Sequence, residues 1–246
     1  MADAGSYQNI VVKIGTSTLA HPTGLVNIRN IENLVRVFSD IKNMGKNIIL
    51  VSSGAIGVGF GKLGISSRPS DTPSKQAAAA VGQCELMYIY DKLFSTYNHT
   101  VAQVLLTGDV LDSPQRVRHV VNTFERLKEM NAIVIVNEND TVAVEEIEFG
   151  DNDNLSAIVA KITGADALII LSDIDGLYTQ NPVKHPEAVL IEDVYDIDES
   201  VSCRAEDSCS RLGTGGMITK LRAAKLATES GIDTFIINGS DPSRLY

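Results

Sequence analysis

Apolar residues arrive along this chain in two rhythms. Short, nearly unbroken runs occur at NIVVKI (9–14), NIILV (47–51), TVAQVLL (100–106), AIVIVN (132–137), ALIIL (167–171) and DTFII (233–237). Runs of this length, bounded by glycine or polar residues, predict strands buried on both faces. Between them the spacing changes. Ile31, Leu34, Val35, Phe38 and Ile41 recur one helical face apart over 27–44, with Gly45 as the stop, and Val117, Val120, Val121, Phe124 and Leu127 form a second stripe. KQAAAAVGQCELMYIYDKLF (75–94), LSAIVAKITG (155–164) and 217–230 complete the predicted helices, and Ser53 in SSGAIG stands where a helix N-cap would. Strand and helix therefore alternate, which predicts an α/β fold: a mostly parallel sheet covered by helices on both faces. The irregular stretch 174–216 is expected to hold a hairpin around VLIEDVY, and no fixed-period repeat is present.

Composition narrows the class. The 246 residues are 44% hydrophobic and 21% charged, enough for one large α/β domain or two small ones. No apolar run approaches the roughly 18 residues of a membrane span, and the first residues do not read as a secretory leader, so a cytoplasmic protein without membrane association is expected. Cys84, Cys203 and Cys209 are an odd set without CxxC, and His21, His99, His119 and His185 are scattered, which disfavours a disulfide framework or a zinc site. A formal charge of −10 with no basic run argues against a nucleic-acid surface. It leaves room for a nucleotide gripped locally by a few lysines.

The candidate chemistry gathers at strand ends. Gly15-Thr16-Ser17, Ser52-Ser53-Gly54, Asn137-Glu138-Asn139-Asp140 and Ser172-Asp173 each follow a predicted strand. In parallel sheets ligands bind beyond those carboxyl ends. The clusters NEND and GDNDN are either two turns or a polar grip. Lys13 lies between Val12 and Ile14 in an apolar strand; either the strand end is exposed or the ammonium meets an anion at the sheet edge, since unpaired burial is costly. GTGGMITK (213–220) sets three glycines before a helix, a place for an anion with Lys220 one turn in; the alternative is a glycine-rich loop with a solvated lysine. Other motifs fail on context. Gly59, Gly61 and Gly64 spell GxGxxG, but eight residues past the strand, where no dinucleotide fingerprint can work. There is no GxxxxGK[ST] and no GxSxG, and Asp173-Ile174-Asp175-Gly176 lacks the glutamate of a calcium loop.

VVKIGTS, VSSGAIGVG, AAVGQ, NENDTVA, GDNDNLSA, SDIDGLYT and GTGGMITK occur in that order. Together they resemble the glutamate 5-kinase family, the γ-glutamyl kinases of the amino acid kinase superfamily, from residue 8 to about 240. The resemblance implies a three-layer α/β/α sandwich around a mostly parallel sheet. It implies one kinase domain over 1–246, with an amino acid lobe at about 1–150 and a nucleotide lobe at about 151–246. It implies ATP and Mg²⁺, L-glutamate as acceptor, γ-glutamyl phosphate as product in the first step of proline synthesis, L-proline as inhibitor, and a homo-oligomer (dimer or tetramer). Carried over residue by residue, Lys13 touches the transferred phosphoryl, and Ser53, Asp140 and Asn152 bind glutamate, with Asn137 and Asp151 as further members of that pocket. Asp153 organises Lys13 and Lys220 near the metal. Ser172, Asp173, Thr214, Gly215, Gly216, Met217, Ile218, Thr219 and Lys220 form the nucleotide site. The family's closing helix and hairpin would follow NGSDPSRLY, and 246 residues leave no room for the second, C-terminal PUA domain of many members. Rival readings are a kinase of the same fold for aspartate, acetylglutamate or a nucleotide, which NEND and GDNDN oppose, and a non-catalytic amino acid sensor, which retention of Lys13, Lys220 and Asp153 opposes.

Overall fold

The computed structural model describes residues 7–21, 23, 25–65, 69–143, 152–197 and 216–246. Six strands form where the apolar runs stand: β1 (Asn9–Ile14), β2 (Asn47–Ser52), β3 (Val101–Leu106), β4 (Ile133–Glu138), β5 (Ala167–Ser172) and β6 (Asp233–Asn238). They pair in the order β3-β4-β2-β1-β5-β6, and every pairing is parallel. The helices are α1 (Thr16–Leu19), α2 (Ile28–Asn43), α3 (Ala55–Lys62), α4 (Thr72–Ser95), α5 (Pro114–Glu129), α6 (Asn152–Thr163) and α7 (Met217–Thr228).

Two cores sandwich the sheet, giving the expected three layers. On one face Ile10, Val12 and Ile14 of β1 pack with Leu34 and Phe38 of α2 and with Leu86, Tyr90 and Phe94 of α4. On the other, Val11 packs with Leu155, Ile158 and Val159 of α6, Phe124 of α5, and Ala223 and Ala227 of α7. The pleat turns alternate residues to opposite faces, so Lys13 shares Val11's face and is delivered toward α6 and α7.

Register decides which ends meet. Ile14 sits beside Ser52 on one flank and Leu171 on the other, and Val51 beside Val136. The carboxyl ends of β1, β2, β4 and β5 thus form one rim. Above it, α3 and α4 approach backbone to backbone. A Cβ on Gly59 would lie 1.8 Å from the Ala78 carbonyl oxygen, and one on Gly82 would lie 1.8 Å from that of Ala55. The glycines that spelled a false dinucleotide motif include one needed for this close helix packing.

Several local expectations change. Ser53 does not cap α3; Gly54 takes that position in the left-handed region (φ 94°), and no side chain caps the helix. Helix α4 starts at Thr72 rather than 75, because Asp71 accepts from the Ser74 N–H and caps it. Helix α6 starts at Asn152 rather than 155, so the last part of GDNDN is helical. Around VLIEDVY a lone antiparallel bridge, Tyr178 with Leu190, stands where a hairpin was expected.

Candidate active site

The first turn of α6 organises the rim. Asp153 is buried, 1% exposed, and its carboxylate joins three elements. Oδ1 lies 2.6 Å from Lys13 Nζ on β1, and Oδ2 lies 3.1 Å from Lys220 Nζ on α7. The Thr219 hydroxyl stands 2.7 Å from Oδ2 and 2.8 Å from the Gly216 carbonyl oxygen. Both lysines are themselves buried. Burial raises a carboxylate's pKa, but at Asp153 the ammoniums of Lys13 and Lys220, with hydrogen bonds from Lys13 and Thr219, outweigh it and hold the group below 3.8. Its place in a helix's first turn also suits a negative charge. The trio keeps a net positive charge in a nearly dry position, where an anion would be strongly attracted.

One residue earlier, Asn152 turns the other way. Its Nδ2 reaches the Ser52 carbonyl (3.0 Å), Ser53 Oγ (2.9 Å) and Asn137 Oδ1 (2.9 Å). Asn137, buried at the end of β4, also accepts from the Glu138 N–H and donates from Nδ2 to Gln83 Oε1 on α4 (2.8 Å). The Ser52 hydroxyl pairs at 3.0 Å with that of Tyr90, whose burial pushes the phenol's pKa up. Beside this network lies a cleft of about 440 Å³ lined by Gln83, Gln103, Glu138, Asn139 and Asp140. Asp140 is half-buried there.

The sequence candidates therefore form two adjoining groups, Lys13–Asp153–Thr219–Lys220 and Ser53–Asn137–Asn152, with Asp140 in the neighbouring cleft. Ser172 is buried at the end of β5 with its hydroxyl 3.2 Å from Asp173 Oδ1, while Asp173 is exposed. Gly216 caps α7; Met217 is buried with Leu177 and Leu221, and Ile218 packs on the same cluster. Asp151, Thr214 and Gly215 lie outside the described residues. Gln83 and the Ser52 carbonyl were not singled out in sequence. AAVGQ marks Gln83's neighbourhood, but its hydrogen-bond partner is 54 residues away.

A parallel sheet whose rim holds two buried lysines on one carboxylate presents a locally positive place for an anion. The chain belongs to the amino acid kinase family, whose profile matches residues 8–238. Its curated relatives include proteins named glutamate 5-kinase. That of Clostridium perfringens is 53% identical over 242 residues, covering 97% of this chain and 90% of the relative. That of Clostridium acetobutylicum is 55% identical over 234 residues, 95% and 88% of the two chains, and that of Enterococcus faecalis 50% over 243 residues, 97% and 90%. Among solved structures, carbamate kinase from Giardia lamblia bound to AMP-PNP superposes with a TM-score of 0.67 at 16% identity, covering 97% of this chain and 95% of that one. An isopentenyl phosphate kinase gives 0.63 at 18%, covering 97% and 94%. At such identities these two establish the shared fold. The family read from seven motifs and the three-layer parallel architecture are both borne out.

Proposed function

We infer that this chain transfers the γ-phosphoryl group of ATP to the side-chain carboxylate of L-glutamate, forming γ-glutamyl phosphate and ADP. The observation that carries the reading is identity of 50–55% to glutamate 5-kinases over nearly the whole chain, joined to the Lys13–Asp153–Lys220 cluster.

The chemistry needs no general base. A glutamate carboxylate, with an ordinary pKa of about 4.3, is already anionic at neutral pH and can attack phosphorus directly. The obstacle is repulsion between that carboxylate and the phosphates. Lys13 and Lys220 offset it, and their benefit grows as charge spreads over the transferred oxygens in the in-line transition state. Asp153 does not touch the reacting atoms in this scheme. It stays ionised and holds both ammoniums aimed at one point. Among the described residues no group of three His, Cys, Asp or Glu side chains could hold a metal alone. Mg²⁺ suits the role of co-substrate, carried on the phosphates of Mg·ATP.

Glutamate presents one ammonium and two carboxylates. Asp140, with Asp151, supplies charge for the ammonium, while Ser53, Asn137 and Asn152 recognise it without adding positive charge that would compete for the phosphate. Ser172, Asp173 and the segment from Thr214 to Lys220 hold the nucleotide. This divides the chain into an acceptor lobe at about 1–150 and a donor lobe at about 151–246. Proline, which shares the ammonium and α-carboxylate of glutamate, competes for the acceptor pocket. A homo-oligomer in the cytoplasm completes the reading; among the described residues no helix is long and apolar enough to cross a membrane.

The test is ADP release from Mg·ATP with and without L-glutamate, with hydroxylamine trapping the acyl phosphate as a hydroxamate. Glutamate-dependent release with hydroxamate formation is expected. Turnover with aspartate or acetylglutamate and none with glutamate would refute the acceptor assignment. Proline inhibition that excess glutamate fails to relieve would place the inhibitor elsewhere.

A further inference from the structure

We propose that Gln83 is a positioning residue for the amino acid acceptor, bracing Asn137 so that it holds the Asn152 amide in the orientation the neighbouring backbone sets; this rests on the glutamate reading above. The direction of the network is set by two backbone groups that cannot change role. The Ser52 carbonyl can only accept, so the Asn152 atom 3.0 Å from it is Nδ2. The Glu138 N–H can only donate, so the Asn137 atom 2.9 Å from it is Oδ1. Asn152 Nδ2 then donates to Asn137 Oδ1. Asn137 must present Nδ2 on its opposite side, and the acceptor it finds there is Gln83 Oε1 at 2.8 Å. With Gln83 turned over, two NH₂ groups would face each other.

The consequence falls on Asn152. Its two N–H donors serve three framework acceptors: the Ser52 carbonyl, Ser53 Oγ and Asn137 Oδ1. Its carbonyl Oδ1 is the end left for the acceptor, and a carbonyl accepts from an ammonium but repels a carboxylate. By holding Asn137 in place, Gln83 thus steadies the Asn152 carbonyl that the ammonium end of the amino acid meets. Its backbone lies close against α3, because Gly82 docks α4 against the Ala55 carbonyl with no space for a Cβ. Ala55 opens α3, directly after Ser53-Gly54. Gln83 also lines the cleft that holds Asp140, so a Glu in its place keeps the acceptor for Asn137 and adds negative charge on the side that meets an ammonium.

The experiment compares Gln83→Leu, which removes the acceptor at similar size, with Gln83→Glu, which restores an acceptor. Steady-state kinetics with L-glutamate and Mg·ATP are expected to give about a tenfold higher KM for glutamate in Gln83→Leu. The KM for ATP and kcat should stay within about twofold, and Gln83→Glu should recover the glutamate KM to within about threefold of wild type. A merely structural role would instead shift both KM values and kcat together, with no rescue by Glu, and that result overturns the proposal. So does an unchanged glutamate KM in Gln83→Leu. The side-chain amide resonances of Asn152, followed by NMR without substrate, should move in Gln83→Leu. If wild type fails to phosphorylate glutamate, the functional reading falls on its own, and unmoved Asn152 resonances would still overturn the relay.

Discussion

Replacing Asp153 by Asn removes one charge and almost no volume, which makes it the sharpest probe of the lysine pair. In the native protein the carboxylate sits 2.6 Å from one ammonium and 3.1 Å from the other, with all three side chains at 8% exposure or less. The variant leaves two ammoniums facing an amide that can satisfy only one of them as acceptor. Removing one partner of a buried ion pair costs about 3–5 kcal/mol, because the remaining charge stays desolvated. The expected loss in unliganded stability is therefore about 3 kcal/mol or more, read from urea denaturation midpoints. A non-hydrolysable ATP analogue should restore more stability to the variant than to wild type, since the phosphates supply the missing negative charge. The pH dependence carries a sign. Asp153 has a folded pKa below 3.8, so its contribution is complete above that ordinary value and decays only as pH falls through the lower folded one. The difference between wild type and Asp153→Asn should accordingly be flat from pH 8 to pH 5 and shrink only in stronger acid. A difference of under about 1 kcal/mol at pH 7, or one that vanishes near pH 6, would refute the reasoning and mean the lysines are stabilised by something else.

Three further outcomes follow from the same geometry. Lys13→Met and Lys220→Met should each lower kcat by about 10²–10³ with smaller changes in the glutamate KM, as expected for lost transition-state stabilisation; normal turnover in Lys220→Met would remove that lysine from the chemistry. Asn152→Ala should raise the KM for glutamate while leaving binding of an ATP analogue intact, and a loss confined to nucleotide binding would move GDNDN to the donor side. Gly82→Ala inserts a Cβ 1.8 Å from the Ala55 carbonyl oxygen. Overpacking of about 1–3 kcal/mol or more should exceed a helix-propensity gain of at most about 1 kcal/mol, so thermal melting should fall by several degrees, and an unchanged melting temperature would show that α3 and α4 are free to separate.

The sheet was legible because a buried parallel strand writes itself as a continuous apolar run, and all six runs became strands. The face of Lys13 was legible too, since strand alternation sets it with Val11. What misled was residue preference at helix starts. Ser53 is a favoured capping residue, yet the chain turns through left-handed Gly54 and leaves the Ser53 hydroxyl to Asn152. Asn152, Asp153 and Asn154 stand before the helix predicted from 155, yet they open α6, because the Ser52 carbonyl, Asn137 and the two lysines supply partners that override local preference. Such partners lie from 15 residues away (Asn137 from Asn152) to 140 (Lys13 from Asp153), and nothing in a spacing pattern encodes them. Gln83 was hidden for the same reason. It reads as an ordinary helical glutamine until the strand it meets is in place.

In the proposed reaction, that helix start is what lets one site treat two substrates separately while keeping them in register. Successive helical residues diverge by about 100°, so Asn152 is carried toward the ends of β2 and β4, and Asp153 toward β1 and α7. The Asn152 network and the Asp153–lysine cluster are thus fixed to one helical turn and to adjacent backbone atoms. Sharing one turn suits the in-line transfer proposed between two bound anions, since misplacement of reacting groups by about 1 Å can cost a factor of 10². The same arrangement predicts how damage spreads. A change that displaces the turn should harm acceptor binding and phosphoryl transfer together, whereas changes in Gln83 or Lys220, which reach the turn from opposite sides, should separate them.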